Sequence, residues 1–337
     1  MKRLIKTSRA ALLAACLTAA AAGPVSAQAL LAGERPATVA AIPGVVDAGA
    51  KWEIVTASFN NLDGIVGMAD GGVLFAQEQT NSIRRLDAAG HETVYVADTH
   101  GAGAVSLDSK GRLYAVQRTC TDPGLHLGPA CLEQPMVSQL LPERRMLTNT
   151  APDGKPLGRV NDIVADGKGG AYFTVGGAYY VNAEGVVSVV ADKDIRSNGI
   201  MLSRDGKTLY VTNNTNVLAF EVQADGTTRN RRVFGDLGGD MGGDGMAIDG
   251  AGRLYVSGAA GVHVLSPEGA HLGLIPTPRR PISVAFSGPD KKTLFVIQNG
   301  AVGPDGRDWK TPDGIRNTAM SLYKLPMVAE GFKGRAK

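Results

Sequence analysis

Short apolar runs alternate with Gly- and Asp-bearing turns along most of the chain, and no long segment carries a 3.6-residue apolar period. One phrase recurs six times: a turn with Asp, then a short strand that carries an aromatic. The first three copies are Asp70-Gly71-Gly72-Val73-Leu74-Phe75, Asp108-Ser109-Lys110-Gly111-Arg112-Leu113-Tyr114 and Asp166-Gly167-Lys168-Gly169-Gly170-Ala171-Tyr172. The others are Asp205-Gly206-Lys207-Thr208-Leu209-Tyr210, Asp249-Gly250-Ala251-Gly252-Arg253-Leu254-Tyr255 and Asp290-Lys291-Lys292-Thr293-Leu294-Phe295. The aromatics follow one another at intervals of 39, 58, 38, 45 and 40 residues. Spacing near forty is the length of a four-stranded propeller blade. The pattern predicts an all-β fold, a six-bladed β-propeller filling residues 51–327. Residues 322–325 would supply its last strand and residues 52–57 its first, the two pairing to close the ring. The enlarged interval predicts an insertion from residue 119 to about residue 157.

The chain ends read differently. Lys2, Arg3, Lys6 and Arg9 form a basic head, residues 10–22 are apolar, and Val25-Ser26-Ala27 offers a small-residue cleavage site. Residues 1–27 thus have the layout of a secretory signal peptide, with an apolar run too short to span a bilayer. Leu13-Ala14-Ala15-Cys16 offers a second processing signal, in which Cys16 would be lipidated. Either predicts export, to a bacterial periplasm or beyond. Residues 28–50 read as an Ala/Pro-rich tether or loosely packed lead-in, and residues 328–337 as a tail.

Composition changes meaning once this segment is set apart. The formal charge of +3 loses four basic residues and no acid with residues 1–27, leaving −1. No basic stripe remains for nucleic acid. An apolar fraction of 44% against 20% charged excludes global disorder. Cys120 and Cys131 remain beside Cys16; in an exported chain they read as a disulfide closing the insertion, with two free buried thiols as the alternative. No G-x-S-x-G elbow, Walker loop or H-E-x-x-H helix is present.

Eleven or twelve residues before the aromatics stand Asp63, Asn161, Asn198 and Asp244; the other two blades have Ala102-Gly103 and Ser283 there. In a propeller this phase begins the innermost strand, so the four side chains should converge on one ring around the channel. Two carboxylates and two carboxamides make a hard oxygen site suited to one divalent cation, Ca²⁺ first, then Mg²⁺, Mn²⁺ or Zn²⁺. Asx turns would explain any one of these residues but predict no shared phase.

These phrases also resemble the regucalcin (senescence marker protein)/gluconolactonase family of six-bladed propeller lactonases. The resemblance is carried by Arg159-Val160-Asn161-Asp162, by Ser197-Asn198-Gly199-Ile200 leading to Asp205-Gly206-Lys207-Thr208-Leu209-Tyr210, and by Asp244-Gly245-Met246-Ala247-Ile248-Asp249. It implies a metal held by a Glu, two Asn and an Asp, the last three matched by Asn161, Asn198 and Asp244. The family's Glu-Gly-Pro reads Asp63-Gly64-Ile65 here; Glu78 is a candidate to compensate, otherwise a residue of the solvated edge. The resemblance gives Arg159 a substrate-holding role, against the alternative of a surface ion pair. The acidic substrate contact of sugar-lactone members has no counterpart at Thr174-Val175-Gly176-Gly177.

The implied activity is ring opening of lactones or related esters by metal-activated water, with Asp244 accepting the proton. His100 and Asp162 are secondary candidates, the first reading more simply as a loop histidine and the second as an orienting residue. His263 reads as packed within a strand, and His91, His126 and His271 as turn residues. Gln117, Arg118, Asn213, Asn214, Gln298 and Asn299 are expected on the rim, where they would set specificity. The expected partner is a small lactone or ester, with no nucleic acid, no membrane span and a monomeric chain. A non-catalytic ligand- or protein-binding propeller, and a strictosidine-synthase-like or phosphotriesterase-like one, stand as the alternatives.

Overall fold

The computed structural model describes residues 29–58, 60–118, 134–309 and 319–335. Among them are twenty-four strands and no helix. The strands form six four-stranded antiparallel sheets. Five sheets are built from four consecutive strands. The sixth takes Pro281–Ser287, Thr293–Asn299 and Met320–Pro326 and receives Glu53–Ser58 from the other end of the chain. Glu53 faces Lys324 and Ser58 faces Met320, so the expected closing pair forms. The molecule is a six-bladed β-propeller.

The recurring phrase explains the blades. Its aspartate carboxylate takes backbone N–H groups two to four residues ahead: Gly72 on Asp70 at 3.0 Å, Arg112 on Asp108 at 2.9 Å, Gly170 on Asp166 at 2.9 Å and Arg253 on Asp249 at 3.0 Å. Gly71 and Gly252 both take φ +89, free to glycine alone. Blade six has Lys291 near that place, at φ 55. The aromatic then lies on the second strand of each blade, and Phe75, Tyr114, Tyr172, Tyr210, Tyr255 and Phe295 are all buried. They fill the seams between neighbouring blades; Tyr255 meets Phe286 of the next blade edge-on, with centroids 4.8 Å apart.

Two expectations need correction. The lead-in is packed: Val39, Ile42, Val45 and Val46 are buried with Trp52 against blades five and six. Arg35 donates to the carbonyls of Thr277, Ala259 and Ala260, each at 2.9 Å. Isolated valines with no regular period hid an apolar face that the sheet surface covers. The chain after the last strand is held as well. Met327 and Ala329 are buried, and the amides of Val328 and Ala329 both donate to the Val45 carbonyl at 3.0 Å. The second correction concerns the insertion. Met136–Leu141 and Arg145–Thr148 are the outer strands of blade two, so the extra residues fall between Gln117 and Met136. Cys120 and Cys131 lie there, and Cys16 with residues 1–27 at the start; all are outside the described residues.

Phe75 gives the fold a quantitative test. It is fully buried in the seam of blades one and six. Phe75→Ala should lower stability by about 3–5 kcal/mol in urea denaturation. Val186→Ala, at a site 64% exposed, should change it by no more than ~0.5 kcal/mol.

Candidate functional site

The innermost strands begin irregularly. Their pairing slips between Asp63 and Ile65, Ala102 and Ala104, Ser197 and Ile200, and Pro281 and Ser283. Such bulges bend a strand and release a residue from the ladder. In blades three and five the matching residues precede the strand. There the Asn161 amide donates to the Thr174 carbonyl and the Asp244 amide to the Ser257 carbonyl, both at 2.8 Å. In blades four and five the glycine after Asn198 and Asp244 lets the next blade approach. A Cβ on Gly199 would stand 2.1 Å from the Asp244 carbonyl oxygen, and one on Gly245 2.9 Å from that of Ile282.

The centre of the ring is taken by Arg118, whose side chain is 3% exposed. All five of its N–H groups have acceptors. Nη1 donates to Asp63 Oδ2 at 2.7 Å and to Glu78 Oε2 at 3.2 Å. Nη2 donates to Asn161 Oδ1 at 2.7 Å and to the Asn161 carbonyl at 3.1 Å. Nε donates to the Val160 carbonyl at 3.0 Å. Burial opposes the charge of this guanidinium, but the carboxylates of Asp63 and Glu78 outweigh it and raise its pKa above the ordinary arginine value. Asn161 passes the arrangement on, its Nδ2 donating to Asn198 Oδ1 at 2.6 Å. Arg159 grips Glu78 with two parallel bonds, 3.0 Å to Oε1 and 3.1 Å to Oε2, and leaves 45% of its side chain exposed.

Asp244 lies deep enough in the ring that burial pushes its carboxyl up to about 8, helped by the negative charges of Asp63 and Asp162. Asp162 is buried; its Oδ1 accepts from the Ile163 amide at 2.9 Å and its Oδ2 from the Ile200 amide at 3.0 Å, pinning blade three to blade four.

The structure therefore brings Asp63, Asn161, Asn198 and Asp244 to one place and adds residues that were read otherwise. Glu78 is no solvated edge: its side chain is 2% exposed between two arginines. Arg118 is central and not a rim residue. Gln117 and Gln298 are buried, the former donating to the Thr99 carbonyl and the latter accepting from the Arg279 amide. Asn213 and Asn214 accept from the backbone amides of Arg196 and Gly242. His100 is exposed at φ 47. His263 is buried against Asp240 and His271, and His271 opens a strand where a turn was expected. A sequence signal for the central pair did exist: Gln77-Glu78 and Gln117-Arg118 end the second strands of adjacent blades with opposite charges at one phase.

This geometry bears on the expected divalent ion. Asp63 Oδ2 and Asn161 Oδ1 each hold an N–H of Arg118, and Asn198 Oδ1 holds one of Asn161. An ion on the same oxygens would stand beside a buried guanidinium, where like charges repel strongly. The donors as arranged do not fit the ion. The cavities around Phe332 share no lining residue with the ring.

A stability test follows from Asp244. The unfolded chain releases this proton near its ordinary value of 3.8, whereas the folded chain keeps it to about pH 8. Unfolding thus releases a proton between those limits, and the group's contribution to stability declines as pH rises through them. Asp244→Asn should match wild type near pH 4 and melt higher by about 3 °C or more at pH 8 and above, measured by thermal denaturation.

Residues 63–299 match the family model described as the SMP-30/gluconolactonase/LRE-like region. A gluconolactonase of Zymomonas mobilis is 28% identical over 173 residues, 42% of this chain and 49% of the relative. A pentonolactonase of Haloferax volcanii is 28% identical over 187 residues, 51% of this chain and 64% of the relative. The chain thus matches about half to just under two thirds of their lengths. Among solved structures, a gluconolactonase of Xanthomonas campestris superposes with a TM-score of 0.66 at 20% identity, covering 89% of this chain and 98% of the other. A calcium-binding protein, regucalcin, of Agrobacterium tumefaciens does so with 0.61 at 18% identity, covering 84% and 95%. With its blades, its ring and a model match across most of the propeller, the chain belongs to the SMP-30/gluconolactonase/LRE-like family.

Proposed function

We propose that this protein hydrolyses lactones or closely related esters of small molecules, a carboxylic-ester hydrolase of the gluconolactonase kind. Family membership and the two lactonase relatives support the reaction class. The observation that carries the reading is the ring itself, which holds the Asp244 carboxyl near those of Asp63 and Asp162 and also bears the half-exposed guanidinium of Arg159. A general base works best when its pKa lies near the working pH. Ionised Asp244 takes a proton from water as the water oxygen adds to the carbonyl carbon. The ring C–O bond then breaks, and the same proton passes to the leaving alkoxide. Arg159, held from behind by Glu78 and partly exposed, is placed to meet the carbonyl or another oxygen of the substrate. The calcium-binding relative supports a divalent ion on Asp63, Asn161, Asn198 and Asp244. The guanidinium on two of those residues speaks against it, and no step here runs through an ion.

The layout of residues 1–27 supports export of the protein. Among the described residues no helix is long and apolar enough to cross a membrane.

A panel of lactones and esters tests the activity. With spontaneous hydrolysis subtracted, wild-type kcat/KM should rise with pH to a plateau above about pH 8, because the base acts when unprotonated. Asp244→Asn should lose a factor on the order of 10² or more and the pH step with it. Arg159→Met should raise KM by roughly tenfold. No turnover across the panel by folded wild type would favour a binding propeller instead.

A further inference from the structure

We infer that the buried guanidinium of Arg118 replaces a divalent ion as the cation of this ring, so that the chain is a metal-independent member of its family. The inference deepens the hydrolase reading, and rests on it only for the consequence in catalysis. Its first ground is position. Two of the four residues that sequence phase assigns to an ion, Asp63 and Asn161, present their oxygens to Arg118 at 2.7 Å each, and a third, Asn198, is reached through Asn161. A planar fork of donors suits a carboxylate and an amide oxygen set side by side.

The second ground is a built seat. Blade two carries Ala102 where four of the other five blades carry an acid or amide, and Gly103 follows. A Cβ on Gly103 would lie 2.1 Å from Arg118 Nε and 2.2 Å from Cζ, so glycine is the residue that leaves space for this side chain. In blades one, four and five the glycine at this step admits backbone of the neighbouring inner strand; in blade two it admits an arginine. The Val160 and Asn161 carbonyls then fix the guanidinium from blade three.

The third ground is charge. Glu78 lies buried against Arg118 and supplies a second carboxylate, beside that of Asp63, for the charge of a buried arginine. With every N–H engaged inside the protein, Arg118 is a positioning residue. It fixes Asp63, Asn161 and Asn198 and sets the charge around Asp244.

Metal uptake without substrate tests the inference. Purified full-length chain is stripped with chelator and equilibrated with about 1 mM Ca²⁺, then with Mn²⁺ or Zn²⁺, and bound metal is counted by mass spectrometry. Wild type should hold far less than one ion per chain and melt at the same temperature in Ca²⁺ and in chelator. Arg118→Ala frees the oxygens beside the space at Gly103; it should gain roughly one Ca²⁺ per chain and melt higher by about 3 °C or more when Ca²⁺ is added. Arg118→Lys, which keeps a charge in the seat, should remain without metal. One ion per wild-type chain, with a melting temperature raised by Ca²⁺, overturns the inference, and this holds even if Arg118→Ala fails to fold. Lactone turnover, with and without chelator, is read separately. A chain that takes no ion and hydrolyses nothing upholds Arg118 and defeats the hydrolase reading; one that hydrolyses lactones and carries an ion does the reverse.

Discussion

A single arginine, buried and holding five hydrogen bonds, joins blades one, two and three at the centre of this propeller. A guanidinium withdrawn from water is costly unless charge and every donor are answered, and removing one partner of such a group typically costs about 3–5 kcal/mol. Here Asp63 and Glu78 answer the charge while Val160 and Asn161 answer the remaining donors. The rest of the ring takes its orientation from that demand. Asn161 has its amide oxygen held by Arg118 and therefore turns its nitrogen to Asn198. Glu78, held between Arg118 and Arg159, orients the latter, which still reaches solvent.

The scaffold makes this possible through irregularities at the inner ends of its blades. The outer strands slip in places too, but there the blades remain ladders with buried aromatics in their seams. At the first residues of the inner strands the ladders slip, and side chains leave the sheet for the channel. Asp162, below them, bonds to the backbone on both sides of a blade junction and keeps two of these starts in register. Asp244 is thereby held among acids in a poorly solvated setting, and its high proton affinity is the electrostatic result.

The repeat was legible because it is local: an aspartate, a turn and an aromatic lie within seven residues, and each copy can be read without the others. The phase of Asp63, Asn161, Asn198 and Asp244 was legible for the same reason, since the blade repeat maps sequence distance onto the ring. Arg118 was legible only as a charge opposite Glu78 at the strand ends; its central place was not, because it depends on residues outside its own strand. Its seat is Gly103 on one side and its acceptors belong to blades one and three. Glu78 was misread by the same limit: the end of a second strand looks solvated until the neighbouring blade presents a cation. The lead-in was misread because Val39, Ile42, Val45 and Val46 cover a surface formed by residues more than two hundred positions away.

The closing strand has a consequence for how the chain must be made. Among the described strands Glu53–Ser58 is synthesised first, and its partner, Met320–Pro326, last. Until that partner exists the sixth blade lacks a strand and the nascent ring keeps an open edge, the kind of edge that pairs with other chains. The entropy of joining such distant segments is met in one late step, which makes closure slow relative to the local hairpins. The same arrangement sets the first and last described strands side by side. A chain that began at a turn between two other blades, with Pro326 joined to Glu53 by a linker, would keep every ladder and move the late step to a different seam.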